Sequence, residues 1–221
     1  MKLNSEDKGF VVLADAVPDI IQEIRYYSTY NFIGDPIDGY DEPIAVLTAA
    51  AAKALKAVSD DLIPMGYRLK IFDAYRPTAA VDHFIRWAED ADDLRMKKFF
   101  YPDVEKADLF EIGYIARKSS HSRGSTVDLT LFDMASGREI SMGSPFDYFG
   151  KRSHTEFLKH LTDEEIQNRF FLRDIMVSHG FTTMAEEWWH FTLADEPYPD
   201  TYFNFPVSRD AVKNALYTTQ L

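Results

Sequence analysis

The chain has 221 residues with 24 Lys plus Arg, 36 Asp plus Glu, a formal net charge of −12 and no cysteine. An acidic chain repels phosphate backbones and anionic lipid surfaces, so we expect neither nucleic-acid nor membrane partners. Disulfides and thiolate ligands are excluded, so any bound zinc must use His, Asp or Glu. The amino terminus, MKLNSEDKGF, has no apolar signal core. We therefore expect a cytoplasmic protein, or a periplasmic one if a signal peptide has been removed.

In the first half of the chain, the local patterns predict short strands or turns at residues 9–15 and 20–26, followed by one strand between two helices. The alanine-rich run AVLTAAAAKALKAVSDDLI predicts a helix, with Asp41 as its cap and Pro43 in its first turn. Alternation in the following YRLKIFDAYRP predicts a half-buried strand, and Pro77 begins a second helix to about Asp90. The charged and aromatic stretch 91–113 has the character of an insertion, and we expect it to cover a pocket.

In the second half, apolar Val127, Leu129 and Leu131 alternate with polar residues and predict a strand that starts near residue 125. Thr162 and Glu165 form a capping box for a helix that ends near Gly180. EEWWHFTL is strand-like, and a short helix is expected near 209–216. Helices and strands mix without a regular βαβ rhythm. This predicts one α+β domain over residues 1–221, with a small, mainly antiparallel sheet and packed helices.

His121 and Asp128 are the first candidates for chemistry. They lie seven residues apart, so in one continuous strand they would point to opposite faces. Gly124 lies between them and permits a turn. Asp128 also points away from Val127 and Leu129, and can therefore line a cleft. Aspartate is depleted in strands, which makes a purely structural role harder to accept for Asp128 than for a single histidine next to a glycine.

Glu187 and His190 form the second candidate pair, and their three-residue spacing requires a bulge or bend. Together, His121, Asp128 and His190 would supply three zinc ligands and leave a fourth position open for water. Glu187 would then be the base that takes a proton from that water. Arg76, at the end of a predicted strand, could stabilise an oxyanion, although taken alone it would more often form a surface salt bridge.

Three motifs together resemble a known family. SSHSRGSTVDLTL has the form Ser-x-His-x-x-Gly-x-x-x-Asp, EWWH has the form Glu-x-x-His, and DAYRP lies upstream of both. In this order they resemble the D-alanyl-D-alanine dipeptidases of the vancomycin-resistance type. The resemblance begins near residue 20 and continues to DEPYPDTYFNFP near the end.

The resemblance implies the fold shared by D-Ala-D-Ala metallopeptidases and the hedgehog signalling domain. It implies one zinc ion per chain on His121, Asp128 and His190, with Glu187 as catalytic base and Arg76 as transition-state stabiliser. The implied activity is zinc-dependent hydrolysis of the small dipeptide D-alanyl-D-alanine.

Substrate contacts follow from the resemblance less directly. Ser119 resembles the residue that receives the substrate carboxylate, whereas Tyr26 and Asp147 resemble the pocket that binds the free ammonium. Two alternatives stay open: a peptidoglycan D,D-carboxypeptidase or L,D-endopeptidase of the same fold, and a non-catalytic zinc-binding domain of the hedgehog type. The sequence predicts no oligomeric state.

Overall fold

The computed structural model describes residues 6–218, in which helices pack against a central sheet. The strands are β1 Phe10–Val12, β2 Ile21–Gln22, β3 Val46–Thr48, β4 Tyr67–Asp73, β5 Thr126–Asp133, β6 Arg138–Glu139, β7 Phe181–Thr183 and β8 His190–Leu193. The helices are α1 Leu13–Ala16, α2 Ala49–Leu62, α3 Thr78–Glu89, α4 Lys97–Phe100, α5 Asp163–Ser178 and α6 Arg209–Thr218.

The main sheet has the strand order β2-β4-β5-β8-β7, and β6 also pairs with β5. The pairs β4–β5, β5–β6, β5–β8 and β7–β8 are antiparallel, whereas the short β2 runs parallel to β4. The α+β class is therefore confirmed, with a sheet that is mixed because of this one parallel edge pair. The division of the chain into a single domain over residues 1–221 stays a prediction.

The start predicted for the alanine-rich helix was wrong. Helix α2 begins at Ala49, after β3, and its cap is Thr48, whose side chain accepts a hydrogen bond from the amide of Ala51. The preceding residues instead form β3, which pairs antiparallel with β1. Helix propensity in this segment is overridden by a partner strand more than 30 residues away, which local patterns do not reveal.

The central strand β5 separates the hydrophobic core from the polar face of the sheet. Val127, Leu129 and Leu131 are fully buried, and they belong to one apolar cluster with residues of α2 such as Leu55 and Val58. Residues at the alternate positions of β5, including Asp128, point to the opposite face of the sheet. The sequence-based prediction that Asp128 faces away from the core is thereby confirmed.

Helix α5 holds in place the long loop that precedes it. The helix begins with the predicted capping box between Thr162 and Glu165. Arg169, which is 2% exposed, donates hydrogen bonds to the carbonyls of Met142, Arg152 and His154 at 2.5, 2.7 and 2.9 Å. One buried guanidinium therefore fixes both ends of loop 142–154.

No described helix is long and apolar enough to cross a membrane.

Candidate metal and peptidase site

The register of the sheet aligns three polar residues in one row. Asp73 of β4 lies opposite Asp128 of β5, and Asp128 lies opposite His190 of β8. Residues directly opposite on antiparallel strands share a face, so these three side chains meet. The Asp73 position depends on a register shift in β4 between Ile71 and Asp73.

His121 reaches the row from a tight turn, Ser120–Arg123, that ends at Gly124. Gly124 has a φ of +84°, and a Cβ there would lie 2.3 Å from the Phe10 ring. Both the backbone conformation and the space therefore require glycine. The turn that the sequence predicted between His121 and Asp128 is present. The bend predicted between Glu187 and His190 is present too, since the His190 amide donates back to the Glu187 carbonyl.

The ligand atoms of His121, Asp128 and His190 lie within 4.8 Å of one another. His121 Nε2 is 3.3 Å from both Asp128 Oδ2 and His190 Nδ1, and His190 Nδ1 is 3.2 Å from Asp128 Oδ1. Asp128 Oδ1 is buried without a hydrogen bond of good geometry. A carboxylate whose two oxygens each lie beside a different ring nitrogen, with one of the oxygens lacking a hydrogen bond, belongs to a donor set that suits a divalent cation.

Contacts on the far side of each imidazole orient these nitrogens. His121 Nδ1 lies 2.7 Å from the carbonyl of Ala74 and donates a hydrogen bond to it, so Nδ1 carries the ring proton. The lone pair of Nε2 is then free to point toward Asp128 and His190. His190 Nε2 lies 3.2 Å from the Ser120 hydroxyl, which can accept a hydrogen bond from it. The proton is then on Nε2, and the unprotonated Nδ1 faces Asp128 and His121. Burial lowers the pKa of His121, which favours the neutral ring that a metal ligand must be.

Ser120 therefore orients His190, and its replacement has a predictable effect. In Ser120→Ala we expect zinc affinity to fall about 10- to 100-fold, because His190 loses the nearer of the two hydroxyls at its Nε2 and keeps only that of Thr192 at 3.5 Å. Competition with a chelating dye measures this affinity. Ser122→Ala is the matched control, since the Ser122 hydroxyl in the same turn is buried without a partner. Unchanged zinc affinity in Ser120→Ala would show that the contact does not orient His190.

Arg76 lies over the row and is held from several sides. Its Nε and one terminal nitrogen donate to Asp73 Oδ2 at 2.9 and 2.8 Å, and the latter nitrogen is 3.7 Å from Asp128 Oδ2. The rings of Tyr26 and Phe84 lie 4.9 and 5.1 Å from the guanidinium carbon. Arg76 is thus a fixed positive group within the site, not the surface salt bridge considered as its alternative.

Glu187 lies beside His190, with 3.5 Å between Oε2 and His190 Nδ1, and its side chain is 17% exposed. Burial raises the pKa of Glu187 to about 7, with a further contribution from the nearby Asp128, while His190 opposes the shift. Asp128 behaves differently: burial alone would raise its pKa, but His121 and His190 lower it below the usual range. One carboxyl is thus poised to exchange a proton and the other stays ionised.

The three predicted substrate residues line the same cavity. Tyr26 donates to both carboxyl oxygens of Asp147, at 3.0 and 3.2 Å. Burial raises the pKa of Asp147 well above its usual range, and Asp128 adds to the shift. Ser119 caps the His121 turn by accepting from the His121 amide. The cavity has a volume of about 130 Å³, and every predicted site residue lines it: Tyr26, Arg76, Ser119, His121, Asp128, Asp147, Glu187 and His190.

Sequence reasoning did not find Asp73, Tyr40 or Ser120. Tyr40 donates to Asp73 Oδ1 at 2.6 Å, so Asp73 is held from one side while it holds Arg76 on the other. An aspartate within a predicted strand was the available signal for Asp73, as it was for Asp128. The stretch 91–113 reaches the cavity only at its last residue, Gly113; the neighbouring lining residues are Tyr114, Ile115, Ala116 and Lys118.

Comparison with known proteins agrees with this geometry. Residues 6–208 match the family described as D-Ala-D-Ala dipeptidase. A D-alanyl-D-alanine dipeptidase from Enterococcus faecalis is 46% identical over 202 residues, which is 91% of this chain and all of that protein. A second, from Enterococcus faecium, is 40% identical over 90% of this chain and 98% of its own length. One from Escherichia coli is 33% identical over 86% of each.

The family match covers most of the chain, and the polar residues of the three motifs converge in one site. The chain therefore belongs to the D-Ala-D-Ala dipeptidases.

Proposed function

We propose that this protein hydrolyses the dipeptide D-alanyl-D-alanine and that His121, Asp128 and His190 hold the zinc ion it requires. The observation that carries the proposal is the convergence of these three ligands with Glu187 and Arg76 in one small cavity. The names of the relatives support the substrate. Zinc in such a site generates a nucleophile from water near neutral pH and polarises a carbonyl.

The residues of the chain divide the remaining work. Glu187 takes a proton from the attacking water and delivers it to the leaving nitrogen as the C–N bond breaks, so that two molecules of D-alanine form. Arg76, which Asp73 keeps in place, stabilises the negative charge on the carbonyl oxygen in the transition state. A buried guanidinium that is already positioned needs no reorganisation when that charge develops.

The two ends of the substrate would be bound separately. Ser119 would receive the carboxylate, and Asp147 with Tyr26 would receive the ammonium. The volume of about 130 Å³ is well below the roughly 300–1,000 Å³ that is usual for ligand sites. A site of this small size supports a dipeptidase over the alternative carboxypeptidase or endopeptidase, whose substrates are longer. Glu187 and Arg76 beside the ligands argue against a non-catalytic zinc domain.

The test compares two substrates on one preparation. We expect the zinc-loaded protein to cleave D-Ala-D-Ala much faster than a pentapeptide that ends in D-Ala-D-Ala, to lose activity with a chelator, and to regain it with zinc. Preference for the pentapeptide would favour the carboxypeptidase. A zinc-loaded protein that cleaves neither peptide would favour the non-catalytic domain. The cytoplasmic location stays a prediction.

A further inference from the structure

A second, larger cavity lies directly behind the proposed catalytic cavity. This outer basin has a volume of about 730 Å³, and its lining includes Lys151, Arg152, His154, Lys159 and Glu186. Of the residues that the structure describes, Tyr114 alone lines both cavities.

The wall between the two cavities is one residue thick. At three other places, consecutive residues line opposite sides: Gly113, Phe149 and Glu187 line the catalytic cavity, whereas Ile112, Gly150 and Glu186 line the outer basin. The backbone therefore forms the wall at these three places, and a side chain, Tyr114, forms it at the fourth.

Tyr114 is held in the wall from both faces. Its ring stacks on Phe149 with 5.1 Å between centroids and 16° between planes. Its hydroxyl lies 3.3 Å from His154 Nε2 on the basin side. Phe149 itself is fixed by a 2.7 Å hydrogen bond from its amide to the Phe100 carbonyl and by the Phe32 ring at 5.0 Å. Tyr114 is partly buried, whereas Phe149 and Phe32 are buried.

We infer that Tyr114 limits the length of the substrate at its amino end; this inference rests on the proposed function. Phe149 follows Asp147 by two residues, and Asp147 is the residue proposed to bind the ammonium. A peptide extended beyond that ammonium would therefore meet the Tyr114–Phe149 stack. Specificity of this kind comes from a steric block against the longer substrate, not from a better contact with the shorter one.

The outer basin could accommodate such an extension once the ring is removed. Its volume exceeds that of the catalytic cavity, and its lining includes three Lys or Arg side chains and two acidic ones, Asp103 and Glu186. The extended peptide has an amide where the dipeptide has an ammonium, so the charge interaction with Asp147 is lost. We therefore expect the opened site to admit longer peptides while remaining slower on them than on D-Ala-D-Ala.

The experiment measures kcat/KM for D-Ala-D-Ala and for Nα-acetyl-L-Lys-D-Ala-D-Ala on wild type, Tyr114→Ala, Tyr114→Leu and Tyr114→Phe. We expect the tripeptide-to-dipeptide ratio to rise at least about 10-fold in Tyr114→Ala, by less in Tyr114→Leu, and not at all in Tyr114→Phe, which keeps the ring. A ratio within twofold of wild type in both Tyr114→Ala and Tyr114→Leu would overturn the inference.

A binding measurement separates this inference from the proposed function. Calorimetric titration of the same tripeptide into zinc-loaded Glu187→Gln, with and without Tyr114→Ala, needs no turnover. We expect binding at least about 10-fold tighter when Tyr114 is removed. If wild type does not cleave D-Ala-D-Ala, the proposed function fails, and this titration still decides the role of Tyr114. Equal binding by the two variants would show that Tyr114 does not bar longer peptides.

Discussion

Glu187→Gln is expected to lower kcat for D-Ala-D-Ala by about 10²- to 10⁴-fold, the usual contribution of a general base. Burial raises the pKa of Glu187 to about 7, so this carboxyl can both accept and return a proton near neutral pH. Glutamine has the same shape but cannot take a proton. Zinc content should stay at one ion per chain, because Glu187 lies beside the ligand His190 without belonging to the group of three.

The measurement pairs steady-state kinetics with metal analysis on each preparation. Glu186→Gln is the matched control, since this neighbouring acid lines the outer basin and not the catalytic cavity. We expect its kcat to stay within about twofold of wild type, as for a substitution away from the reacting atoms. Full turnover in Glu187→Gln would remove Glu187 as the base.

Asp128→Asn is expected to weaken zinc binding by more than about 100-fold, beyond the range found for residues that only orient a ligand. The carboxylate contributes the negative charge between two neutral imidazoles, and Asp128 is only 2% exposed, so water cannot substitute for it easily. Activity at one equivalent of zinc should fall with metal occupancy.

The control for this prediction lies on the same strand. Asp133→Asn keeps an acceptor for the amides of Ala135 and Ser136, which Asp133 binds at the end of β5. We expect its zinc affinity to match that of wild type. Circular dichroism would verify that both variants are folded. Wild-type zinc affinity in Asp128→Asn would exclude Asp128 as a ligand and would contradict the His-Asp-His site.

Much of the local structure was predictable because it depends on neighbouring residues. The capping box of Thr162 and Glu165 was found from a four-residue pattern, and alternation in β5 placed Asp128 opposite the core face. The error at the start of α2 has the opposite cause. The β3 residues become a strand because β1 pairs with them, and a run rich in alanine carries no sign of that distant partner.

The chemical identity of the site could also be proposed from the chain alone. Three short motifs contain the side chains that chemistry and family resemblance select, and the structure brings all of those side chains into one cavity. Their mutual placement, however, needed the fold. Asp73 lies opposite Asp128 through a register shift in β4, and a shift of one residue in pairing is not encoded by a period-two pattern.

The sequence by itself determined the types of residue available for chemistry, the local turns at Gly124 and before His190, and the polar face of β5, because each follows from near neighbours along the chain. Only the tertiary structure decided which residues meet across strands, how Ser120 contacts His190, and where Tyr114 lines the cavity. These contacts join residues between 35 and 70 positions apart, as with Tyr114 and Phe149 or Ser120 and His190, and they form only when strands and loops pack together.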